Sequence, residues 1–141
     1  MTLGSSTLTA MPTPFEPSAP PPLHELESEV MEEVWRRGET TVRDVLRTLN
    51  DTSSRERAYT TVMTIMRRLD EKEMLERRRE GKTDVYQPRM TREDYFEARA
   101  NAEVAAVVAQ YGEQALVHFA RQLDKLDPAR RQKLRRLSRR V

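Results

Sequence analysis

The sequence predicts a mainly α-helical fold with one small β-ribbon, and three observations carry that prediction. Apolar residues recur at helical spacing from Leu26 to Leu69. The period shortens around Gly81-Lys82, and helical spacing returns after Pro88.

Residues 1–22 hold six of the chain's eight prolines and a single charge, Glu16. Such a segment buries too little apolar area to offset its ordering entropy, so it reads as a disordered Pro-rich tail. From Leu23 the character changes. Leu26, Val30, Val34 and Trp35 form the apolar stripe of a first helix rich in glutamate, and Gly38 stands where a left-handed C-cap is expected. A second helix starts at Thr40 or Thr41, carries Val42, Val45, Leu46 and Leu49 at i, i+3, i+4, i+7, and stops at Asn50-Asp51. Ser53 and Glu56 have capping-box spacing. A third helix then runs to about Glu73, burying Tyr59, Val62, Ile65, Met66 and Leu69.

Two short runs, Glu76 to Glu80 and Thr83 to Gln87, flank Gly81-Lys82 and are closed by Pro88. They read as a β-hairpin. Three short helices followed by a hairpin make the winged-helix arrangement, a helix-turn-helix with a β-ribbon appended. Residues 23–90 are therefore expected to form a winged helix-turn-helix DNA-binding domain.

Beyond Pro88, Thr91 and Asp94 resemble an N-cap pair, Gly112 interrupts the helical pattern, and Asp127-Pro128 starts a last helix. The stripes here are narrow: Tyr95, Phe96, Ala102, Ala106 and Val107, then Leu116, Phe119, Ala120 and Leu123, then Leu134, Leu137 and Val141. About fifty residues so patterned cannot enclose a core alone, and the simplest partner is a second copy. Residues 91–141 read as a helical dimerisation region.

Composition narrows the function. The chain has 141 residues, 37% hydrophobic and 34% charged, with no cysteine and four isolated glycines. Gly-rich phosphate loops, disulfides and thiolate metal sites are excluded. No run approaches the roughly 20 apolar residues of a membrane span, and no basic leader precedes an apolar block. A soluble, cytoplasmic chain without membrane insertion is expected. His24 and His118 lie on different helices without a ligand cluster, and neither an HExxH pair nor a nucleophile elbow occurs. We expect no enzyme activity, no cofactor and no metal, with the acidic residues in surface pairs.

The third helix carries Thr60, Thr61, Met63, Thr64, Arg67 and Arg68 opposite its buried stripe. Threonine is a costly choice for a merely solvated helix face. It suits a helix inserted in a major groove, where short side chains permit close approach and the methyl packs on thymine. Arg67 and Arg68, about two turns on, would meet phosphate. Tyr59, which opens the same helix, is also expected to contact DNA. Arg78, Arg79 and Lys82 in the hairpin suit a wing along the backbone, and Arg43 stands in the first turn of the second helix. The basic run from Arg130 to Arg140 reads as the solvated face of a dimer helix, in preference to a second nucleic-acid contact.

Leu26-Glu27-Ser28-Glu29-Val30-Met31, Trp35, Thr41-Val42-Arg43-Asp44-Val45-Leu46 and Ala58-Tyr59-Thr60-Thr61-Val62-Met63-Thr64 resemble the penicillinase repressor family (BlaI/MecI type). Gly81-Lys82 with Val85-Tyr86-Gln87-Pro88 resembles its wing, and Ala115-Leu116-Val117-His118-Phe119 its C-terminal region. The resemblance covers about residues 23 to 137. It implies a homodimeric repressor on a double-stranded operator with inverted-repeat half-sites of TACA/TGTA type. The implied targets are genes for β-lactamase or other envelope-stress functions, hence antibiotic resistance. It further implies relief by a sensor protease, or one downstream of it, cutting the dimerisation region. The matching bond is His118–Phe119, where members with this switch carry Asn in place of His118. The copper-responsive branch ends in a cysteine-rich site and is excluded. Glu73 stands where the family usually has the glycine that closes the reading helix. The rival readings are a small-molecule-responsive winged-helix regulator, with Tyr95, Tyr111 and His118 contributing to a pocket, and a protein-interaction module that keeps the fold without DNA.

Overall fold

The computed structural model describes residues 19–52 and 55–140; residues 1–18, where most of the Pro-rich tail falls, Ser53 of the expected capping box and Val141 of the last apolar stripe lie outside them. The elements are α1 (Glu25–Arg37), α2 (Val42–Thr52), α3 (Tyr59–Glu71), β1 (Leu75–Glu80), β2 (Thr83–Pro88), α4 (Arg92–Tyr111), α5 (Glu113–Asp124) and α6 (Pro128–Ser138). This is a winged helix-turn-helix followed by C-terminal helices. The chain divides into two compact units, one ending at Arg99 and one spanning 100–141.

The core of the first unit is Val30, Met31 and Val34 of α1, Val42, Val45 and Leu49 of α2, and Val62, Met66 and Leu69 of α3. Met74, Leu75, Tyr86 and Tyr95 complete it. Each fully buried aliphatic side chain contributes about 1.5–3 kcal/mol relative to exposure. The stripes read from the sequence are thus the packed faces, with Leu26, Trp35 and Leu46 half-buried at their edges and two changes on α3. Ile65 is half-buried, and Tyr59 is 46% exposed. As the first residue of α3, Tyr59 leans past the end of the helix, away from the core that Val62 and Met66 reach.

Each junction has a local cause. Gly38 closes α1 at φ 83°, ψ −63°, a conformation hostile to any Cβ. Thr41 caps α2, its Oγ1 accepting from the Asp44 N–H at 3.2 Å. Asn50 clamps the α2–α3 loop: its Oδ1 accepts from the Arg57 N–H at 2.7 Å, and its amide donates to the Arg57 carbonyl at 3.2 Å. The α3 terminus is a Schellman motif. The Met74 N–H donates to the Leu69 carbonyl at 2.8 Å and the Glu73 N–H to Asp70 at 3.0 Å, with buried Met74 and Leu69 as the apolar pair. Glu73 itself sits at φ 63°. The left-handed cap survives without its glycine.

β1 and β2 pair antiparallel from Leu75↔Pro88 to Glu80↔Thr83, leaving Gly81-Lys82 as a two-residue turn. Gly81 alone has positive φ there, 61°, the pattern of a type II′ hairpin turn. Thr40, between α1 and α2, adds a third strand position opposite Tyr86.

The first unit extends beyond residue 90, the boundary read from the sequence, because aromatic packing carries it into α4. Trp35 lies 5.5 Å from Tyr95 and 6.1 Å from Phe96, and its indole N–H donates to the Met90 carbonyl at 3.0 Å. Thr91 caps α4, accepting from the Asp94 N–H at 3.1 Å. The last residues assigned to the tail are held here: the Tyr95 hydroxyl donates to the Pro21 carbonyl at 2.8 Å and Arg99 to Pro20 at 3.0 Å.

Two glutamates expected at the surface are buried instead. Glu27 accepts from Lys72 Nζ at 2.7 Å and from the His24 N–H at 3.0 Å. Burial pushes its carboxyl up, but these two hydrogen bonds together with the positive charge of Lys72 hold it below its ordinary value of 4.5. Glu33 is treated likewise by Arg36 and by Arg37, the latter at 2.6 Å.

In the second unit, Gly112 at φ 62° separates α4 from α5, and Asp127 caps α6, accepting from the Arg130 N–H at 2.9 Å. Among the described residues from 100 to 140, Ala115 alone is buried.

Candidate nucleic-acid interface

The exposed face of α3 is built by rotation about one axis. Val62, Met66 and Leu69 turn into the core, which leaves Thr60, Thr61, Thr64, Arg67 and Arg68 to solvent and Met63 half-buried between the two faces. Every residue read from the sequence as a base or phosphate contact on this helix is therefore displayed or borders the displayed face.

A groove of about 540 Å³ runs between the start of α2, α3 and the wing. It brings together Arg43, Tyr59, Met63, Arg67, Arg79 and Lys82, six of the eleven expected contact residues. The N-terminal end of α2, capped by Thr41, opens beside it. Such a helix end carries a partial positive charge that favours an anion.

The cations differ in how they are engaged. Arg43, Arg67, Arg68 and Lys82 have no carboxylate within salt-bridge reach among the described residues. The wing arginines are paired: Arg78 with Glu39 and, at 3.4 Å, Glu80; Arg79 with Asp84 at 3.2 Å; Arg77 with Asp70 at 3.6 Å and Asp84 at 3.7 Å. The Glu39 hydrogen bond raises the pKa of Arg78 further. The spacing of arginines in β1 showed the positive charge and its neighbour Glu80, but the other carboxylates that face it come from the α1–α2 connection, α3 and β2.

Tyr86 also borders the groove, fully buried, with a hydroxyl that has no hydrogen-bond partner within the described protein. Burial raises its pKa, so it remains a neutral phenol. Sequence reading placed Tyr86 only in the hairpin; its alternation with Val85 gave no sign that it is the wing's anchor in the core.

His118 and Phe119 are both exposed on α5, in the second unit. Among the described residues no group of acidic and histidine side chains is placed to hold a metal ion, and no helix is long and apolar enough to cross a membrane.

Three helices, a wing joined to them through Thr40, and a threonine-faced α3 beside free cations define the winged helix-turn-helix class of nucleic-acid-binding domain. Residues 23–140 match the sequence model described as Penicillinase repressor, and the chain belongs to that family. The transcriptional regulator BlaI of Mycobacterium tuberculosis is 35% identical over 114 residues, 77% of this chain and 80% of that protein. The penicillinase repressor of Bacillus licheniformis is 29% identical over 82 residues, 58% of this chain and 62% of that protein's length. A solution structure of the Bacillus licheniformis BlaI monomer with the blaP half-operator is 30% identical, with a TM-score of 0.45 over 54% of this chain and 90% of that one.

Proposed function

We propose that this chain is a homodimeric, sequence-specific DNA-binding transcriptional repressor of the cytoplasm. The observation that carries the reading is the displayed Thr60, Thr61 and Thr64 face of α3, flanked by Arg43, Arg67, Arg68 and Lys82, which keep their charge available for phosphate. On DNA, α3 enters a major groove and offers short hydroxyl- and methyl-bearing side chains to the base edges. Arg43 and the α2 N-terminus meet the backbone on one side of the groove, and the wing meets it on the other. Family membership and the names of the relatives support a repressor role.

The second unit supports a dimer. It exposes Val104, Val107, Tyr111, Leu116, Val117, Phe119, Leu134 and Leu137, while among its described residues it buries Ala115 alone. A second copy would cover these side chains and fix two reading helices on inverted-repeat half-sites. Tethering makes the second half-site contact effectively intramolecular, so loss of the dimer releases DNA with α3 untouched. Within this reading, a sensor protease relieves repression by cutting near His118–Phe119. In the single protomer both residues are exposed on α5, and Phe119 belongs to the face proposed for the partner copy, so a cut there would break up the dimer surface. Genes for β-lactamase or other envelope-stress functions are the targets proposed.

A gel shift tests the central step. The duplex is the chain's own promoter region containing an inverted repeat, and a scrambled duplex of equal length is the control. The expected result is a shift on the promoter duplex at concentrations that leave the control free. Equal shifts on both would overturn sequence-specific repression.

A further inference from the structure

The charge of the chain is distributed against expectation for a DNA-binding protein. Residues 23–90, the winged helix, contain 14 Lys and Arg and 15 Asp and Glu, a net charge of −1. Residues 125–141 contain eight Lys and Arg and one Asp, a net charge of +7, which exceeds the +2 of the whole chain. The winged helix thus has no net positive charge beyond the cations grouped at its reading face, and the chain's excess of positive charge lies at and around α6.

The structure of α6 makes this a surface and not merely a run. Arg131, Gln132, Arg135, Arg136 and Arg139 line one open groove of about 350 Å³. Arg131, Arg135 and Arg139 follow one another at i, i+4, i+8, about 6 Å apart along the axis. Leu134 and Leu137 lie on the other side of the helix, where they remain for a partner copy. Arg131 reaches Asp124 at 3.8 Å, whereas Arg135, Arg136 and Arg139 have no carboxylate within salt-bridge reach among the described residues. Like charges at i, i+4 destabilise a helix by a few tenths of a kcal/mol per pair. A face meant only for solvent would be expected to intersperse acids, and residues 128–140 contain none.

We infer that the arginine face of α6 is a second, sequence-independent contact for the phosphate backbone of duplex DNA. This rests on the proposed DNA-binding role and deepens it: α3 supplies discrimination, and α6 adds to the counterion-releasing, salt-dependent part of affinity that the cations around α3 begin. Duplex DNA is favoured over an anionic membrane because residues 128–140 contain no aromatic residue and only two leucines, too little apolar face to enter a bilayer surface.

The test uses the full chain as wild type, as R135Q/R136Q/R139Q and as the charge-retaining R135K/R136K/R139K. Glutamine keeps helix propensity, and far-UV circular dichroism checks helicity. Affinities are measured on the promoter duplex, on the scrambled duplex, and on vesicles of equimolar phosphatidylserine and phosphatidylcholine, between about 50 and 200 mM salt. The glutamine variant is expected to flatten the slope of log K against log salt by about 0.9 per arginine, close to 3 per chain, on both duplexes. Affinity at the lowest salt falls about tenfold or more on each, the preference between duplexes is unchanged, and the lysine variant keeps the wild-type slope. Single R135Q and R139Q chains each lose about 0.9 of slope, which serves should the triple variant lose helicity. Unchanged slopes on both duplexes overturn the inference, as does a loss confined to vesicles. A wild type with no preference for the promoter duplex would instead overturn the proposed function, and the scrambled duplex would still decide the role of α6.

Discussion

Thr40 and Tyr86 exchange both backbone hydrogen bonds, Thr40 N–H to the Tyr86 carbonyl at 3.0 Å and Tyr86 N–H to the Thr40 carbonyl at 2.8 Å. Both residues are buried, so this pair fastens the wing to the connection between α1 and α2. Proline at 40 removes one donor and leaves a buried carbonyl unpaired. Thr40→Pro is expected to destabilise the chain by about 3 kcal/mol in urea unfolding. Tyr86→Phe keeps the bridge and removes an unpartnered buried hydroxyl, so it is expected to be neutral or slightly stabilising. If Tyr86→Phe proves the more damaging change, the hydroxyl has a role that the fold does not account for.

Glu73 occupies the C′ position of α3 at φ 63°, where a Cβ costs about 1–2 kcal/mol. Glycine relieves that strain but gives the unfolded chain more freedom. The balance predicts that Glu73→Gly raises stability by about 0.5–1 kcal/mol, seen as a later urea midpoint with an unchanged slope. A destabilised Glu73→Gly chain would mean that the side chain contributes more than the strain removes.

Periodicity made the helices and the hairpin legible, because burial on one face is a local pattern. Gly38 was legible as the end of α1 at positive φ, although its ψ of −63° departs from the left-handed cap expected, while Gly81 was legible as part of a turn and Gly112 as an interruption. What was not legible is non-local. The Thr40–Tyr86 bridge joins residues far apart in sequence. The burial of Glu27 depends on Lys72 from the end of α3, and within a first helix crowded with glutamate nothing marks it out. For the candidate site, the threonines and arginines were readable as residue types. The carboxylates at Glu39, Asp70 and Asp84 that engage the wing arginines were not, because they arrive from three different elements.

Those pairings set an order among the wing cations. Lys82→Ala removes an unpaired charge from the groove and is expected to flatten the salt slope by about 0.9 on promoter and scrambled duplexes alike. Arg78→Ala removes a charge already countered by Glu39 and Glu80, so its effect on the slope is expected to be smaller. Glu39→Gln leaves Arg78 with Glu80 alone and is expected to tighten binding to both duplexes. An Arg78→Ala effect larger than that of Lys82→Ala would show that the Arg78–Glu39 pair opens on DNA.

The lowered carboxyls of Glu27 and Glu33 predict an acid-sensitive first unit. A carboxylate whose folded pKa lies below its unfolded value contributes stability above the unfolded value and loses it as pH falls through the folded one. Stability is therefore expected to be level near neutrality and to decline once pH drops below the ordinary value of 4.5. Lys72→Met leaves Glu27 buried with only the His24 N–H and is expected to cost about 1–3 kcal/mol at pH 7. The loss narrows at low pH, where Glu27 is protonated. Urea midpoints for both chains across the acid range measure this, and a Lys72→Met penalty that does not change with pH would remove the pair as its cause.

The exposed apolar side chains of the second unit predict where the dimer is held. Leu116 is 52% exposed and Leu137 44% exposed, so glutamate at either position costs the isolated chain little. In a two-fold interface each change occurs twice, burying two unpaired charges. Leu116→Glu combined with Leu137→Glu is expected to give a monomer in sedimentation with the wild-type near-UV spectrum of Trp35 retained. Affinity for the two-half-site promoter duplex falls about 100-fold or more because the effective-concentration gain is lost, while affinity for a single half-site is nearly unchanged. A double variant that still sediments as a dimer would place the interface elsewhere on the chain.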